Sequence, residues 1–128
     1  MVDEFEGKVI GGRYRVDHLL GVGGSASVYE AEDITFGRRV AIKIPHENVG
    51  AESVAAKRLV REARASGAVG HPNVCEISEI GALPNGTPFI VMERLTGETL
   101  RDRITNEGRL PFADIVDIMM QVLSGLGA

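Results

Sequence analysis

Hydrophobic and polar residues alternate in short runs along the first third of the chain, and these runs predict β-strands. The runs cover residues 14–20, 27–31 and 39–44, with glycine-rich or polar turns between them. Runs rich in β-branched and aromatic residues that are separated by such turns are typical of hairpins. Pro45 follows the third run, and a proline cannot donate to a strand ladder. The start of the chain is therefore predicted to be an antiparallel sheet.

Between residues 52 and 68 the spacing of apolar residues changes to that of a helix. Leu59, Ala63 and Ser66 fall along one helix face, and basic residues cover most of the remainder. Two further strand-like runs follow at 74–80 and 88–93. The pattern predicts an α+β fold in which a five-stranded antiparallel sheet packs on one large helix.

After Gly97 the pattern predicts two helical segments. The first is short and ends at Gly108, and Pro111 opens the second. The second segment carries an apolar stripe that the sequence leaves without a matching partner. The stripe consists of Ile115, Met119, Val122 and Leu126.

Composition narrows the class of protein further. Apolar residues make up 44% of the 128 residues, which supports a packed core. The net charge of −4 argues against a nucleic-acid partner, because such proteins need a basic surface. Cys75 is the only cysteine, so an intrachain disulfide is excluded. We see neither a signal peptide nor a membrane segment, and we expect a cytoplasmic protein.

The glycines between the first two strands are a candidate phosphate site. Gly21 and Gly23 alone are weak evidence, because glycine pairs mostly serve to turn the chain. A dinucleotide fingerprint would need a helix to begin inside the glycine run. Here Ser27, Val28 and Tyr29 continue as a strand. The dinucleotide hypothesis therefore fails on structural context.

The third strand and the large helix supply a possible charged pair. Alternation places Val40, Ile42 and Ile44 on one face of the strand and Lys43 on the other. A lysine within an apolar run is costly to bury without an anionic partner. Glu62, beside the apolar face of the helix, is a possible partner. Taken singly, each is better explained as an ordinary surface residue.

Taken together, these features resemble the protein kinase family, and in particular bacterial serine/threonine kinases. Six motifs follow one another in the family's order and at similar spacing. They are residues 20–28 (LGVGGSASV, the glycine-rich loop), 40–43 (VAIK), 61–63 (REA), 71–74 (HPNV), 90–95 (IVMERL) and 99–102 (TLRD). The resemblance implies an N-terminal extension over 1–12, an ATP-binding N-lobe over 13–95, and the hinge and first helices of a truncated C-lobe over 96–128.

The same resemblance implies a role for each motif residue. Lys43 would contact the α- and β-phosphates of ATP and Glu62 would hold it in place, so these two residues are assigned to catalysis. Backbone groups of Glu93 and Leu95 would read the edge of adenine. The implied nucleotide-binding residues are Leu20, Gly21, Val22, Gly23, Gly24, Ser25, Val28, Ala41, Lys43, Met92, Glu93 and Leu95.

Two positions depart from the family pattern. Ala26 stands where the family has its third glycine, which adds a methyl group near the phosphates. Ser66 stands where a larger apolar residue usually packs toward the sheet. We therefore expect the large helix to dock less firmly and the contact between Lys43 and Glu62 to be intermittent.

The complete enzyme is expected to transfer a phosphoryl group from ATP to protein hydroxyls. In the family, the catalytic aspartate and the magnesium ligands lie beyond the position of Ala128, so no metal ligand is predicted here and the chain alone is expected to be inactive. With half of an adenine pocket, ATP should bind at about millimolar strength or weaker. The alternative is a non-catalytic, kinase-like interaction module that docks through the apolar stripe of its last helix. A pseudokinase is disfavoured because Lys43, Glu62 and the glycines are present.

Overall fold

The computed structural model describes residues 4–46 and 53–128. Within these ranges, six strands and three helices follow one another. The strands are β1 (Val9–Ile10), β2 (Tyr14–Val22), β3 (Ala26–Asp33), β4 (Arg38–Pro45), β5 (Ile77–Ala82) and β6 (Pro88–Glu93). The helices are α1 (Val54–Gly67), α2 (Leu100–Glu107) and α3 (Phe112–Leu126). The predicted α+β class is confirmed.

The six strands form one antiparallel sheet in the order β1-β2-β3-β4-β6-β5. The count of five strands was therefore one too low. The additional strand is β1, which comes from the segment that was assigned to an N-terminal extension. Val9 pairs with Arg15 and Ile10 pairs with Tyr14, and the Ile10 side chain is buried in the core. The proposed division of the chain at residues 13 and 96 stays a prediction, although β1 shares the sheet.

The element boundaries agree with the sequence pattern at most positions. β6 covers the predicted residues, whereas β5 begins at Ile77, three residues later than expected. Helix α1 begins after Ser53, whose hydroxyl accepts a hydrogen bond of 3.0 Å from the Ala56 N–H. This contact satisfies a backbone donor that the first turn of a helix leaves without a partner. Residue 52, where the predicted helix started, lies outside the described residues.

The larger hydrophobic core lies on one face of the sheet. Aromatic rings from three strands and from the N-terminal segment meet edge to face there: Tyr14 and Phe89 at 6.3 Å between ring centres, and Phe5 and Tyr29 at 5.6 Å. The Tyr14 hydroxyl donates to the Glu79 carboxylate, which joins β2 to β5. Burial of the phenol and this hydrogen bond raise the pKa of Tyr14 to about 12.

Asp33 fastens the end of β3 to the start of β2. Its buried carboxylate accepts two hydrogen bonds from the Arg13 guanidinium, at 3.0 Å from Nε and 2.8 Å from Nη2. The backbone N–H groups of Thr35 and Phe36 also point at this carboxylate. Since these donors favour the charged form, the pKa of Asp33 is lowered, with the Arg13 contact as the largest cause. The paired charge can therefore be buried in the sheet without being left unsatisfied.

The opposite face of the sheet carries a smaller core. Leu59 and Ala63 of α1 pack there against Ile90 of β6. Two of the three buried side chains of α1 belong to alanine, so the helix offers little apolar surface to the sheet. This face is the one on which Lys43 lies.

Helices α2 and α3 continue from the last strand. Arg103 of α2 forms an ion pair of 2.6 Å with Asp114 of α3. The loop after α1 contacts α3 through His71, whose Nε2 lies 3.1 Å from the Ser124 hydroxyl, and through Asn73, whose amide donates to Gln121 at 3.2 Å. The apolar stripe of α3 is exposed, with fractions from 42% at Ile115 to 78% at Leu126. Across the described ranges, the helices are too short or too polar to cross a membrane.

Candidate functional site

A row of paired residues crosses the sheet from the glycine-rich loop to α1. Val28 of β3 pairs with Gly21 of β2 on one side and with Lys43 of β4 on the other, and Lys43 pairs in turn with Ile90 of β6. Residues directly opposite each other on antiparallel strands project from the same face of the sheet. Ile90 packs on α1, so Val28 and Lys43 project from the face that α1 partly covers.

The predicted alternation along β4 is confirmed. Val40, Ile42 and Ile44 all belong to the larger core on the far face. Ala41, by contrast, lies on the same face of β4 as Lys43, and it pairs with Met92. Three of the residues that were predicted to line the nucleotide site (Val28, Ala41 and Met92) are thus collected beside Lys43.

A cavity of about 190 Å³ lies between α1 and the sheet. Lys43 and Glu62 are the charged groups on its wall, and Met92 and Ile90 form part of its apolar floor. Cys75 also lines it, and burial, followed by the nearby Glu93 and Glu76 carboxylates, raises the pKa of its thiol. Reactions of the thiolate at this position are therefore disfavoured.

Lys43 and Glu62 face the same cavity. Among the ion pairs of the described residues, none joins these two side chains. Glu62 is exposed, and Lys43 is half-buried. Ser66 stands on the same wall, where its small side chain leaves space between helix and sheet. The structure thus brings the two predicted partners to one cavity but does not bring them into contact. The expected effect of Ser66 on the docking of α1 stays a prediction.

The glycine-rich loop is tightly bonded at its base and open at its tip. The Gly23 N–H donates to the Ala26 carbonyl at 2.8 Å, which closes the turn between β2 and β3. At the tip, the N–H groups of Gly24 and Ser25 have no acceptor among the described residues. Adjacent backbone donors without an acceptor are the groups from which anion-binding sites are built.

The fold itself does not require glycine at the three loop positions. A Cβ atom added to Gly21 or Gly24 would meet no other atom within 4 Å, and one added to Gly23 would approach only the Ala26 carbonyl, at 3.4 Å. None of the three has the positive φ that favours glycine. A group that approaches the backbone from outside, however, would meet any side chain placed there.

His46 at the end of β4 also contacts this loop. Its Nε2 lies 2.8 Å from the Gly23 carbonyl oxygen, and its backbone N–H donates to the Ser25 carbonyl at 3.1 Å. A carbonyl oxygen can only accept, so Nε2 carries the proton and donates. No motif in the sequence points to His46, whose only signal is its position three residues after Lys43.

The segment after β6 holds the remaining predicted residues. The Glu93 N–H is already engaged by the Glu76 carbonyl at 3.0 Å, whereas the predicted adenine contact needs the Glu93 carbonyl, a different group. The side chains of Leu20 and Leu95 are 38% and 58% exposed. Both therefore lie at the open edge of the face rather than in a closed pocket.

Arg94 ties this segment to β3 and was not singled out from the sequence. Its guanidinium donates to Glu30 at 2.7 Å and also to the Leu95 carbonyl. The Arg94 contact is the largest cause of the lowered pKa of Glu30. Glu30, Asp17 and His18 are close enough together to hold a metal ion. The Glu30 carboxylate is already paired with Arg94, however, and the Asp17 carboxylate with Arg39. The three residues are therefore better explained as part of a surface ion-pair network.

Comparison with known proteins gives one consistent result. The chain matches the family described as "Protein kinase domain" over residues 14–128. It is 38% identical over 120 residues to the serine/threonine-protein kinase PrkC of Bacillus subtilis, a match that covers 94% of this chain and 18% of that protein. It is 33% identical over 124 residues to the serine/threonine-protein kinase pkn3 of Myxococcus xanthus, with 97% and 23% covered. The chain thus spans about a fifth of the length of these curated relatives.

Solved structures agree on the fold. The kinase domain of Mycobacterium tuberculosis PknI superimposes with a TM-score of 0.77 at 23% identity, over 98% of this chain and 51% of that one. A structure described as the apo form of PpkA-294 gives a TM-score of 0.67 at 20% identity, over 78% and 41%. At these identities the likeness establishes the fold alone. Together with the family match, it leads to one conclusion: the chain belongs to the protein kinase family, and its relatives are bacterial serine/threonine kinases.

Proposed function

We propose that this chain is the ATP-binding part of a serine/threonine protein kinase, whose complete form transfers the γ-phosphoryl group of ATP to protein hydroxyls. The observation that carries the proposal is the glycine-rich loop. It combines glycines that the fold does not need with two backbone donors that lack an acceptor among the described residues. Gly21 at the start of this loop lies in the same row of paired residues as Val28 and Lys43. Such an arrangement suits a phosphate chain.

The adenine ring would lie on the apolar part of the same face. Val28 and Ala41 would contact one side of the ring, Leu20 would cover its outer edge, and Met92 would stand at its back. The Glu93 carbonyl and the Leu95 N–H would hydrogen-bond its edge. Magnesium would arrive with the phosphates, and we assign it no ligand among the residues described here.

We further propose that these residues alone do not transfer phosphate. Neither an H-R-D nor a D-F-G sequence occurs in the 128 residues. In the kinase mechanism, the aspartates of those two motifs accept the substrate proton and hold the metal. Lys43 and Glu62 can position phosphates, but neither performs those steps.

ATP titration of the ¹⁵N-labelled chain, followed by amide chemical shifts, tests the proposal. We expect binding at about millimolar strength, with shifts at the glycine-rich loop, Val28 and Met92, because only part of the adenine pocket is present. Lys43→Met should weaken ATP binding by about tenfold, the loss typical of a hydrogen bond to a charged group. Lys8→Met removes the same charge outside the predicted site and is the matched control.

Two results would contradict the proposal. One is the absence of shifts at the loop at ATP concentrations well above the millimolar range. The other is an equal loss of affinity in the Lys43 and Lys8 variants, which would mean that only the net charge matters.

A second candidate function is an interaction module that docks through α3. The observation that favours it is the exposure of the whole stripe of Ile115, Met119, Val122 and Leu126. Analytical ultracentrifugation distinguishes the two functions. A concentration-dependent dimer that Val122→Lys abolishes would support docking through α3, whereas a monomer that binds ATP would support the first proposal.

A further inference from the structure

His46 contacts the glycine-rich loop through two bonds of different kinds. The backbone N–H of His46 extends the ladder between β3 and β4 by one rung beyond the pair of Ala26 and Pro45. The imidazole then bonds the Gly23 carbonyl, on the β2 side of the same turn. Any residue except proline at position 46 would keep the backbone bond to Ser25. Only a side chain of suitable length that ends in a hydrogen-bond donor would keep the bond to the Gly23 carbonyl.

We propose that His46 is a positioning residue for the phosphate end of the bound nucleotide. This inference rests on the proposed ATP site. Carbonyl oxygens carry partial negative charge and repel phosphate, whereas N–H groups attract it. His46 engages the carbonyls of Gly23 and Ser25 and so holds both toward β4. The N–H groups of Gly24 and Ser25 remain for the anion.

The composition of the loop explains why such a contact matters. Glycine has more backbone freedom than any other residue, so ordering Gly23 and Gly24 costs conformational entropy. When the loop is already held before the ligand arrives, less of that cost falls on binding. The imidazole bond restricts the loop at the point where the strand ladder has ended.

An ordinary explanation is that a half-exposed histidine forms a local contact of no consequence. The two explanations differ in which ligand they affect. A positioning role makes His46 matter for a ligand that carries phosphates and not for adenosine, since the imidazole contacts the loop and not the adenine face. A merely structural role would change both ligands equally or neither.

The experiment compares ATP and adenosine, titrated into the wild-type chain and into His46→Ala, His46→Gln and His71→Ala. We expect His46→Ala to weaken ATP binding by about fivefold, as for one ordinary hydrogen bond, with adenosine unchanged. Gln ends in an amide donor and should keep ATP affinity within about twofold. His71 bonds α3 on another part of the chain, and its loss should leave both affinities unchanged.

Hydrogen exchange supplies a readout that needs no ligand. The Gly23 amide, which is bonded to the Ala26 carbonyl, should exchange faster in His46→Ala and at close to the wild-type rate in His46→Gln. Equal ATP affinity in wild type and His46→Ala would overturn the inference, and so would an equal loss for ATP and adenosine. If the wild-type chain binds ATP nowhere near the loop, the proposed function fails as well, and that result is distinct from a failure of His46 alone.

Discussion

The two faces of the sheet are built from different side chains and carry hydrophobic cores of different size. On one face, here called the dense face for its ten buried core residues, Tyr14, Tyr29 and Phe89 pack with aliphatic residues from five strands. On the other, Leu59 and Ala63 of a single helix cover only part of the surface, and a cavity of about 190 Å³ remains beside them. Four of the predicted nucleotide residues (Val28, Ala41, Lys43 and Met92) project from the thinly covered face. If the proposed nucleotide site is correct, the larger core and the ligand contacts lie on opposite sides of the same strands.

The contrast indicates how a small domain can keep an open surface without unfolding. Strands β3 and β4 carry core residues at every second position and candidate binding residues at the positions between. The rigid face therefore fixes the spacing of the open face through the backbone that both share. Mutations on the two faces should then have separable effects, which the first two of the following three experiments test.

The largest effect should come from truncating the centre of the dense face. Phe89 is 1% exposed and contacts the Tyr14 ring, so Phe89→Ala should lower the free energy of unfolding by about 3–5 kcal/mol. Leu59→Ala, on the other face, should cost about 2 kcal/mol, at the low end for such a change, because that core is thin. Urea denaturation followed by circular dichroism measures both losses. Equal losses would contradict the difference between the faces.

An intermediate effect should come from adding one methyl group at different glycines. A Cβ at Gly81 would lie 2.3 Å from Cζ of the Phe89 ring, so Gly81→Ala should destabilise the chain by about 1–3 kcal/mol. Gly24→Ala adds the same methyl group where no atom lies within 4 Å and should change stability by less than about 0.5 kcal/mol. The loop variant should instead weaken ATP binding.

Thermal denaturation and the ATP titration, applied to both glycine variants, separate the two effects. If Gly24→Ala lowered the melting temperature as much as Gly81→Ala, the loop glycine would have a structural role. Unchanged ATP affinity in the loop variant would argue against close approach of phosphate at that position.

The smallest effect should come from the polar edge of the dense face. Tyr14→Phe removes the hydrogen bond to Glu79 and should cost about 1 kcal/mol near neutral pH. The pKa of Tyr14 rises from 10.0 to about 12 on folding, so its contribution is fully present below pH 10 and is lost as the pH rises toward 12. Urea denaturation across that range should show a steeper loss of stability in the wild type than in Tyr14→Phe. Parallel curves would show that Tyr14 does not titrate differently in the folded state.

The strands and helices that the sequence predicted well are those with a local signal. β6 was placed correctly because its apolar run ends at a proline on one side and at a charged segment on the other. β1 was missed because two residues cannot show a period, and its pairing with Arg15 depends on a turn through two glycines. β5 begins later than expected because Val74 lies in the loop that contacts α3, where Gly125 allows a close approach. That contact joins distant parts of the chain and leaves no local pattern.

The candidate site could be predicted in its residue types but not in its distances. The motif spacing identified Lys43 and Glu62, and the structure brings both to one cavity. Whether Lys43 and Glu62 touch depends on the distance between α1 and the sheet. Small side chains that lie far apart in the sequence set that distance together. His46 and Arg94 were missed for a related reason, since each acts through a hydrogen bond to a residue at least 20 positions away.

The Arg94 contact also bears on how the parts of the chain can move. Its guanidinium holds both Glu30 of the sheet and the Leu95 carbonyl, so residues up to 95 are fastened to β3. Any rotation of α2 and α3 against the sheet would have to break the contacts of His71 and Asn73 with α3 and would turn the backbone near Gly97, whose φ of 103° few other residues adopt. The backbone groups proposed to read adenine would consequently keep their position relative to β3 even if those contacts of α3 were broken.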